Sequence, residues 1–186
     1  MTDRFTISPT KLNGLLVVKR KPLIDSRGFF ERLLGSDAPE PLSQFQPVQV
    51  NRTLTQRIGI VRGMHWQFAP HGDTKLISCL RGEVFDVAVD LRRGSPTFLQ
   101  WHAEVLSDGN HMAMFIPAGF AHGFQTLSEN CEMLYFHSAG FAPGHEGGAH
   151  ALDPRIAISW PKAISELSAR DAGHPFLPKD FPGLDP

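Results

Sequence analysis

The chain has 186 residues, of which 18 are Lys or Arg and 19 are Asp or Glu, so its formal net charge is -1. This balance excludes an overall basic surface for nucleic acid, and the 41% of hydrophobic residues exclude a mainly disordered chain. Two cysteines are too few for a disulfide framework or for a zinc site with four thiolates. The length predicts one domain over residues 1–186, with a core at about residues 15–161 and a tail at 162–186.

The N-terminal residues lack the apolar core of a signal peptide. No apolar run approaches the roughly 18 residues of a membrane span. We therefore expect a cytoplasmic protein that binds neither membrane nor nucleic acid.

Short strands follow one another along the chain. Residues 15–24 predict a first strand, with Pro22 at an edge or a bend. Residues 48–67 hold two β-rich stretches, and residues 75–80 and 84–91 form a hairpin that turns at Arg81 and Gly82. Further strands are predicted over residues 98–106, 111–116, 120–127 and 132–137.

The clearest alternation of side chains lies in residues 84–91. One face of that strand carries Phe85, Val87, Val89 and Leu91, and the other carries Val84, Asp86, Ala88 and Asp90. Turn signals about every ten residues favour an antiparallel sandwich or barrel. Only residues 162–171 have a helical pattern, which predicts an all-β fold with a short C-terminal helical tail.

Several common catalytic motifs are missing from the sequence. It has no glycine-rich dinucleotide loop, no Walker-type phosphate loop and no zinc-protease His-Glu-x-x-His. It also lacks the Gly-x-Ser-x-Gly turn of serine hydrolases. Chemistry of these classes is therefore poorly supported.

Two aromatic-rich β segments carry a histidine each, His65 in residues 62–67 and His122 in residues 117–124. Each histidine could bind a metal, act as a general base, or lie hydrogen-bonded in the core. Together the segments resemble the two halves of a cupin barrel. Metal-binding cupins usually have His-x-His in the first half, but here the second histidine is replaced by Gln67. Because a catalytic metal usually needs three protein ligands, we expect a cupin that uses neither metal nor other cofactor.

The chain resembles the dTDP-4-dehydrorhamnose 3,5-epimerase family, cupins that invert the carbons beside the ketone of a nucleotide-linked 4-keto-6-deoxysugar. The match runs in unbroken order over residues 15–171. The segments that carry it are residues 25–30 (DSRGFF), 49–51 (QVN), 62–67 (RGMHWQ), 75–76 (KL), 82–92 (GEVFDVAVDLR), 94–97 (GSPT), 116–124 (IPAGFAHGF), 134–135 (LY), Glu146, 153–154 (DP), 158–161 (ISWP) and 167–171 (LSARD).

The resemblance implies an acid–base mechanism. Removing a proton beside a ketone requires a positioned base and a group that stabilises the enolate oxygen. The resemblance makes His65 the base and Asp171 the carboxylate that orients it. Tyr135, the only tyrosine of the chain, becomes the acid on the opposite face of the sugar. Lys75 supplies positive charge near the enolate.

The resemblance also implies a nucleotide-sugar site. Arg27 and Arg62 are suited to bind the two phosphates of the nucleotide, because guanidinium groups bind phosphate oxygens in pairs. Phe141 falls at the position where the family stacks an aromatic ring on the base. Gln49 and Asn51 lie two residues apart, so they face the same side of a strand. His122 either lines the pocket or only supports His65. The substrate-binding residues expected are Arg27, Gln49, Asn51, Arg62, His122, Phe141 and Glu146.

Some positions depart from the family pattern. An acid usually stands where this chain has Arg32, and Glu31 comes one residue early, so either side chain could face the pocket. Asp73 replaces a usual glutamine, and Phe136 replaces a usual lysine. These substitutions affect the residues expected around the substrate and leave the expected acid and base in place.

Three functions remain open at this point. The first is a 3,5-epimerase that converts dTDP-4-dehydro-6-deoxy-D-glucose into dTDP-4-dehydro-L-rhamnose. The second is a relative that inverts only C3 or only C5 of a related nucleotide sugar. The third is a non-catalytic cupin that binds a sugar nucleotide. The resemblance also implies a homodimer in which N-terminal strands cross over.

Overall fold

The structure, a computed structural model, describes residues 4–185 and is built almost entirely of strands. The elements in chain order are β1 (Phe5–Pro9), β2 (Leu16–Arg20), β3 (Leu23–Asp25), β4 (Gly28–Phe30), a 3-10 turn (Leu42–Gln44), β5 (Gln49–Thr55), β6 (Val61–Gln67), β7 (Lys75–Arg81), β8 (Glu83–Asp90), β9 (Trp101–Ser107), β10 (Met112–Ile116), β11 (Phe120–Thr126), β12 (Cys131–His137), β13 (Glu146–Gly148) and α1 (Ala169–Ala172). The all-β prediction is therefore confirmed. Pro22 separates β2 from β3, as its restricted backbone predicts.

The strands form two large antiparallel sheets and one small hairpin. The first sheet has the order β1-β2-β10-β7-β12-β5, and the second has the order β13-β6-β11-β8-β9. The hairpin pairs β3 with β4. Neighbouring strands in the sheets are often distant in the chain, as in a sandwich closed by long connections.

The main core lies between the two large sheets. It joins side chains of β7, β10 and β12 to side chains of β8, β9 and β11. Its buried strand residues are Ile77, Cys79, Val84, Ala88, Leu106, Met114, Ile116, Phe120, Phe124, Cys131 and Met133. Burial of each large side chain here contributes roughly 1.5–3 kcal/mol to stability.

Strand β8 is buried on both faces. Val84 and Ala88 point into the core between the sheets, as the alternation predicts. Val87 and Val89 join a second cluster with Leu184 from the C-terminal segment. The C-terminal segment therefore covers the outer face of the second sheet.

The helix predicted over residues 162–171 is much shorter in the structure, where only Ala169–Ala172 is helical. The backbone before it runs along the start of β6 instead. The N–H of Ser165 donates to the carbonyl of Gly59 at 2.9 Å, and the N–H of Val61 donates to the carbonyl of Glu166 at 3.1 Å. Because these groups are bonded to β6 and its turn, the local helical pattern is overridden.

Within residues 4–185, no helix is long and apolar enough to cross a membrane. The prediction of a single domain is not tested by these features and stays a prediction.

Candidate active site

A cavity of about 370 Å³ opens between the two large sheets. Strands β5, β7 and β12 form one wall, strands β6 and β11 form the other, and the segment around α1 closes one side. The lining residues are Asn51, Thr53, Arg62, His65, Lys75, His122, Phe124, Tyr135, His137, Ser168, Arg170 and Asp171. The cavity thus brings together all four residues that the sequence predicts as catalytic.

His65 and Asp171 form a hydrogen-bonded pair at the cavity wall. Nε2 of His65 lies 2.7 Å from Oδ1 of Asp171, although the two residues are 106 positions apart. Burial alone acts to raise the pKa of Asp171, but its hydrogen bonds with His65 and with the N–H of Gly63 outweigh burial and lower that pKa. Because the ionised carboxylate can only accept, Nε2 of His65 is the donor of this hydrogen bond, and in the neutral imidazole Nδ1 is then the nitrogen with the lone pair.

The start of α1 holds Asp171 in place. Ser168 is the N-cap residue, and its hydroxyl accepts a hydrogen bond from the N–H of Asp171 at 3.1 Å. The N–H of Gly63, on the same strand as His65, donates to Oδ2 of Asp171 at 3.4 Å. The carboxylate is therefore anchored both to its own helix and to β6.

His122 and Asp86 form a second, deeply buried pair. Nε2 of His122 lies 2.7 Å from Oδ1 of Asp86. Burial lowers the pKa of His122, and the neighbouring Asp86 offsets part of this effect. His122 lies opposite His65 in the β6–β11 register. It lines the cavity and bonds to Asp86 rather than to His65.

Lys75 brings an amino group into the cavity from the start of β7. Its side chain is 12% exposed, and Nζ lies 4.0 Å from Oδ2 of Asp73. Burial lowers the pKa of Lys75, while Asp73 and Asp86 act in the opposite direction. A poorly hydrated cation of this kind stabilises negative charge that develops nearby.

Tyr135 lies on the first sheet, whereas His65 lies on the second. Burial raises the pKa of the Tyr135 phenol, so the hydroxyl stays protonated at neutral pH. The ring of Tyr135 meets the ring of His122 edge-on at 6.1 Å. A neutral acid and a His–carboxylate pair therefore stand on opposite sheets, with a lysine in the same cavity, as two-faced proton transfer beside a carbonyl requires.

A family model described as dTDP-4-dehydrorhamnose 3,5-epimerase matches residues 9–179 of this chain. The chain belongs to that family. The resemblance in sequence and the cupin-type sandwich are thereby confirmed, and the protein is an isomerase.

Curated relatives and a solved structure agree with the family model. The dTDP-4-dehydrorhamnose 3,5-epimerase of Salmonella typhimurium LT2 is 41% identical over 171 residues, which are 90% of this chain and 93% of that protein. The dTDP-4-dehydrorhamnose 3-epimerase of Streptomyces niveus is 36% identical over 167 residues, 89% and 80% of the two chains. The dTDP-6-deoxy-D-glucose-3,5-epimerase of Legionella pneumophila Philadelphia 1, solved with dTDP-4-keto-L-rhamnose, superposes with a TM-score of 0.85 and 35% identity, covering 98% and 99%.

The predicted substrate-binding residues of this epimerase fall at three places. Arg62 and Asn51 line the cavity, as His122 does. Gln49 accepts a hydrogen bond from the N–H of Phe141 at 3.0 Å, and the ring of Phe141 is 60% exposed. Glu146 contacts the cavity through Arg170, whose Nη2 lies 2.9 Å from Oε1 of Glu146.

Arg27 is not brought to the cavity of this epimerase by its own chain. Its side chain is 88% exposed on the β3–β4 hairpin, where it pairs with Asp25 at 2.7 Å. Among the residues described, neither Glu31 nor Arg32 lines the cavity. Glu31 lies 2.9 Å from Nδ1 of His111 and 3.7 Å from Nε of Arg20, and Arg32 pairs with Asp37.

A third His–carboxylate pair in the epimerase cavity was not predicted. Nδ1 of His137 lies 2.6 Å from Oδ2 of Asp73, and Nε2 lies 3.3 Å from the amide nitrogen of Asn51. The His137 ring stacks beside that of Tyr135, with centroids 6.0 Å apart. The sequence contains a signal for His137, because a residue two positions after Tyr135 lies on the same face of the strand.

Other cavity residues of the epimerase left no clear pattern in the sequence. Thr53 lines the cavity from outside the segments that carry the family resemblance, whereas Phe124, Ser168 and Arg170 lie within those segments but are assigned no role there. His174, just beyond α1, meets the His65 ring edge-on at 5.6 Å. Burial, and next the charge of His65, lower the pKa of His174.

Proposed function

We propose that this epimerase converts dTDP-4-dehydro-6-deoxy-D-glucose into dTDP-4-dehydro-L-rhamnose by moving protons at C3 and C5. The observation that carries the proposal is the placement of His65 and Tyr135 on opposite sheets of one cavity that also holds Lys75. No cofactor is required, because the 4-ketone already acidifies both carbons.

His65 acts as the general base. Its Nδ1 lone pair takes the proton from the carbon beside the ketone, and Asp171 stabilises the imidazolium that results. The low pKa of Asp171 supports this role, since an ionised carboxylate is needed there throughout the reaction. Asp171 also fixes the tautomer and the orientation of the ring.

Lys75 stabilises the enolate that forms on the ketone oxygen. The electrostatic gain is large because the amino group is poorly hydrated and already in place. The negative charges of Asp73 and Asp86 favour the charged form of Lys75 against the cost of burial.

Tyr135 returns a proton from the opposite face of the ring. Burial keeps its hydroxyl protonated, and the resemblance to the family supports its assignment as the acid that completes inversion. Proton loss towards one sheet and proton gain from the other change the configuration of the carbon.

The nucleotide occupies the mouth of the same cavity. Arg62 binds a phosphate, and Gln49 and Asn51 supply hydrogen bonds. Phe141 stacks on the base, with its backbone held by Gln49. His122 and the Glu146–Arg170 pair complete the substrate-binding surroundings.

We infer that two chains form a homodimer through the β3–β4 hairpin. The hairpin exposes four large apolar side chains: Leu23 at 54%, Ile24 at 79%, Phe29 at 64% and Phe30 at 59%. The register pairs Leu23 with Phe30 and Ile24 with Phe29, so each face of the hairpin carries two exposed apolar side chains. Exposed apolar surface of this kind is typical of a protein interface. Arg27 projects from the same hairpin, so dimerisation would carry it to the cavity of a second copy.

A second candidate is a 3-epimerase, because the Streptomyces niveus relative carries that name at 36% identity. A non-catalytic binding protein is less well supported, since binding alone requires no opposed acid and base. The cytoplasmic location stays a prediction.

Proton NMR of dTDP-4-dehydro-6-deoxy-D-glucose incubated with the protein in D2O tests the proposal. Deuterium at both C3 and C5 is the expected result. Deuterium at one carbon would instead establish a single-site epimerase. Binding without exchange would identify a binding protein, and neither binding nor exchange would point to another nucleotide sugar.

A further inference from the structure

Three side chains beside the cavity form a cluster with the chemistry of a metal site. His65, Asp171 and His174 each offer one ligand atom, and these atoms lie within 4.8 Å of one another. His65 comes from β6, and the other two come from the segment around α1. Two imidazoles and one carboxylate are a common ligand set for zinc and related divalent ions.

His174 has a ring nitrogen that the fold leaves without a partner. Its Nε2 is buried and makes no hydrogen bond within residues 4–185. Buried polar atoms are nearly always hydrogen-bonded, so an exception next to a His–carboxylate pair calls for an explanation. A lone pair held ready for a metal ion provides one.

Gly148 creates the space that lets His174 approach His65. It lies on β13, directly opposite His65 in the pairing with β6. A Cβ atom at position 148 would lie 2.3 Å from Nε2 of His174, so any other residue would push the ring away. The position of His174 therefore depends on β13 as well as on α1.

The distances suit a zinc ion after small side-chain movements. Zinc binds nitrogen and oxygen at about 2.0–2.2 Å, which places neighbouring ligand atoms of a tetrahedral site about 3.3 Å apart. Nε2 of His65 and Oδ1 of Asp171 lie 2.7 Å apart and would separate slightly, while His174 would move inwards. The fourth position would face the cavity.

We propose that His65, Asp171 and His174 form a reversible zinc site that inhibits the enzyme. A zinc ion on Nε2 of His65 and on Asp171 takes the place of the proton between them, and the neutral ring then carries its proton on Nδ1. The nitrogen that acts as the base can therefore no longer accept a proton from the sugar. Inhibition rests on the proposed role of His65 as base, whereas binding of the ion does not. His174 is the ligand that distinguishes this site from an ordinary His–carboxylate pair.

Zinc binding is measured first, by calorimetry on the metal-free protein without substrate. We expect one tight site per chain, with a dissociation constant on the order of micromolar. His174→Ala should weaken this binding at least about tenfold. His174→Gln, which keeps a polar side chain of similar reach, should weaken it as well and guards against a folding defect in the alanine variant.

His145→Ala is the matched control. The rings of His71 and His145 lie 4.3 Å apart at another place, so this pair is the competing histidine site. The control should leave tight zinc binding unchanged. Loss of that binding in His145→Ala, or unchanged binding in both His174 variants, would overturn the proposed ligand set.

Turnover is measured second, with and without zinc. Zinc should inhibit the wild type, a chelator should restore activity, and His174→Ala should keep most of its turnover while losing the sensitivity. Full activity with zinc bound would overturn the inhibitory role. If the wild type turns over no substrate at all, the proposed function fails, and calorimetry still decides whether the site exists.

Discussion

At the scale of single residues, the proposed chemistry depends on two side chains that line one cavity from different sheets. His65 is poised as a base because the hydrogen bond to Asp171 directs its ring and leaves Nδ1 free to accept a proton. Tyr135 is poised as an acid because burial opposes loss of its proton. In the proposed mechanism neither residue replaces the other, since the two belong to different sheets.

Replacement of His65 by alanine should abolish turnover and preserve binding. A positioned general base contributes about 10²–10⁴-fold to rate, so a loss of at least that size is expected. Calorimetry with dTDP serves as the control, because His65 is assigned to the sugar and other residues are assigned to the nucleotide. Full activity in this variant would remove the assignment of the base.

Replacement of Tyr135 by phenylalanine should separate exchange from inversion. The ring and its contact with His122 remain, but the proton donor on one face is lost. We expect NMR in D2O to show a larger loss of inverted product than of substrate-hydrogen exchange. Equal retention of both activities would count against Tyr135 as the acid.

At the scale of elements, the site depends on the close approach of β6 to β11. The pairing is interrupted by a register shift between His122 and Phe124, and Gly63 lies opposite this irregularity with φ of +126°. A Cβ atom on Gly63 would lie 2.6 Å from Cα of Gly123, which is closer than packed atoms allow. Glycine at this position therefore keeps His65 and His122 side by side.

Gly63→Ala should reduce both stability and turnover. The unfavourable backbone angle and the clash with β11 together predict a loss on the order of 3 kcal/mol in the free energy of unfolding. Urea unfolding measures it, and Gly109→Ala is the control, because a Cβ there meets nothing within 4 Å. Equal stability of the two variants would show that the close approach is unimportant.

Asp90, at the end of β8, is expected to make a pH-dependent contribution to the free energy of unfolding. Burial alone acts to raise the pKa of Asp90, but hydrogen bonds from Arg92, Ser95 and Thr97 outweigh it and lower the pKa to about 2. A lowered pKa contributes stability that is present above the unfolded value of about 3.9 and is lost as the pH falls towards 2. Asp90 is thus expected to stabilise the fold at neutral pH.

Asp90→Asn should cost roughly 2 kcal/mol of unfolding free energy at pH 7. The difference from the wild type should shrink at pH 3, because Asp90 of the unfolded wild-type chain is then largely protonated. Urea unfolding at pH 7 and at pH 3 measures the loss of stability and its reduction on acidification. Asp180→Asn, at an exposed residue, is the control. A difference that grows on acidification would contradict the explanation.

At the scale of the whole molecule, the β3–β4 hairpin forms its own two-stranded sheet, although Phe29 meets the ring of His111 edge-on at 5.6 Å. Among the described elements, β3 and β4 are paired only with each other, and the large apolar side chains of this hairpin are exposed. Arg27, which the family pattern assigns to the substrate, lies on this hairpin and away from the cavity of its own chain. The proposed homodimer would account for both observations.

Ile24→Asp combined with Phe29→Asp should convert a dimer into a monomer. Two charges within an apolar interface remove burial and add desolvation cost. Sedimentation at micromolar concentration measures the change, and Leu152→Asp, at another exposed apolar residue, is the control. A wild-type monomer under these conditions would exclude the dimer.

The sequence by itself determined the class of fold and predicted a catalytic set. Alternation in residues 84–91 and frequent turns are local properties, so they predict β8 and an all-β sandwich without knowledge of the tertiary structure. His65, Lys75, Tyr135 and Asp171 were identified through the family pattern and do line one cavity. Their roles stay predictions.

Only the tertiary structure decided which distant residues meet. The pairs His122–Asp86 and His137–Asp73 join positions 36 and 64 residues apart, and local patterns carry no information about such contacts. The same holds for the C-terminal segment, whose helical pattern gave way to hydrogen bonds with β6 and which brought His174 to His65. Long-range pairing decides these features because the backbone groups and side chains are satisfied by partners that only the complete fold supplies.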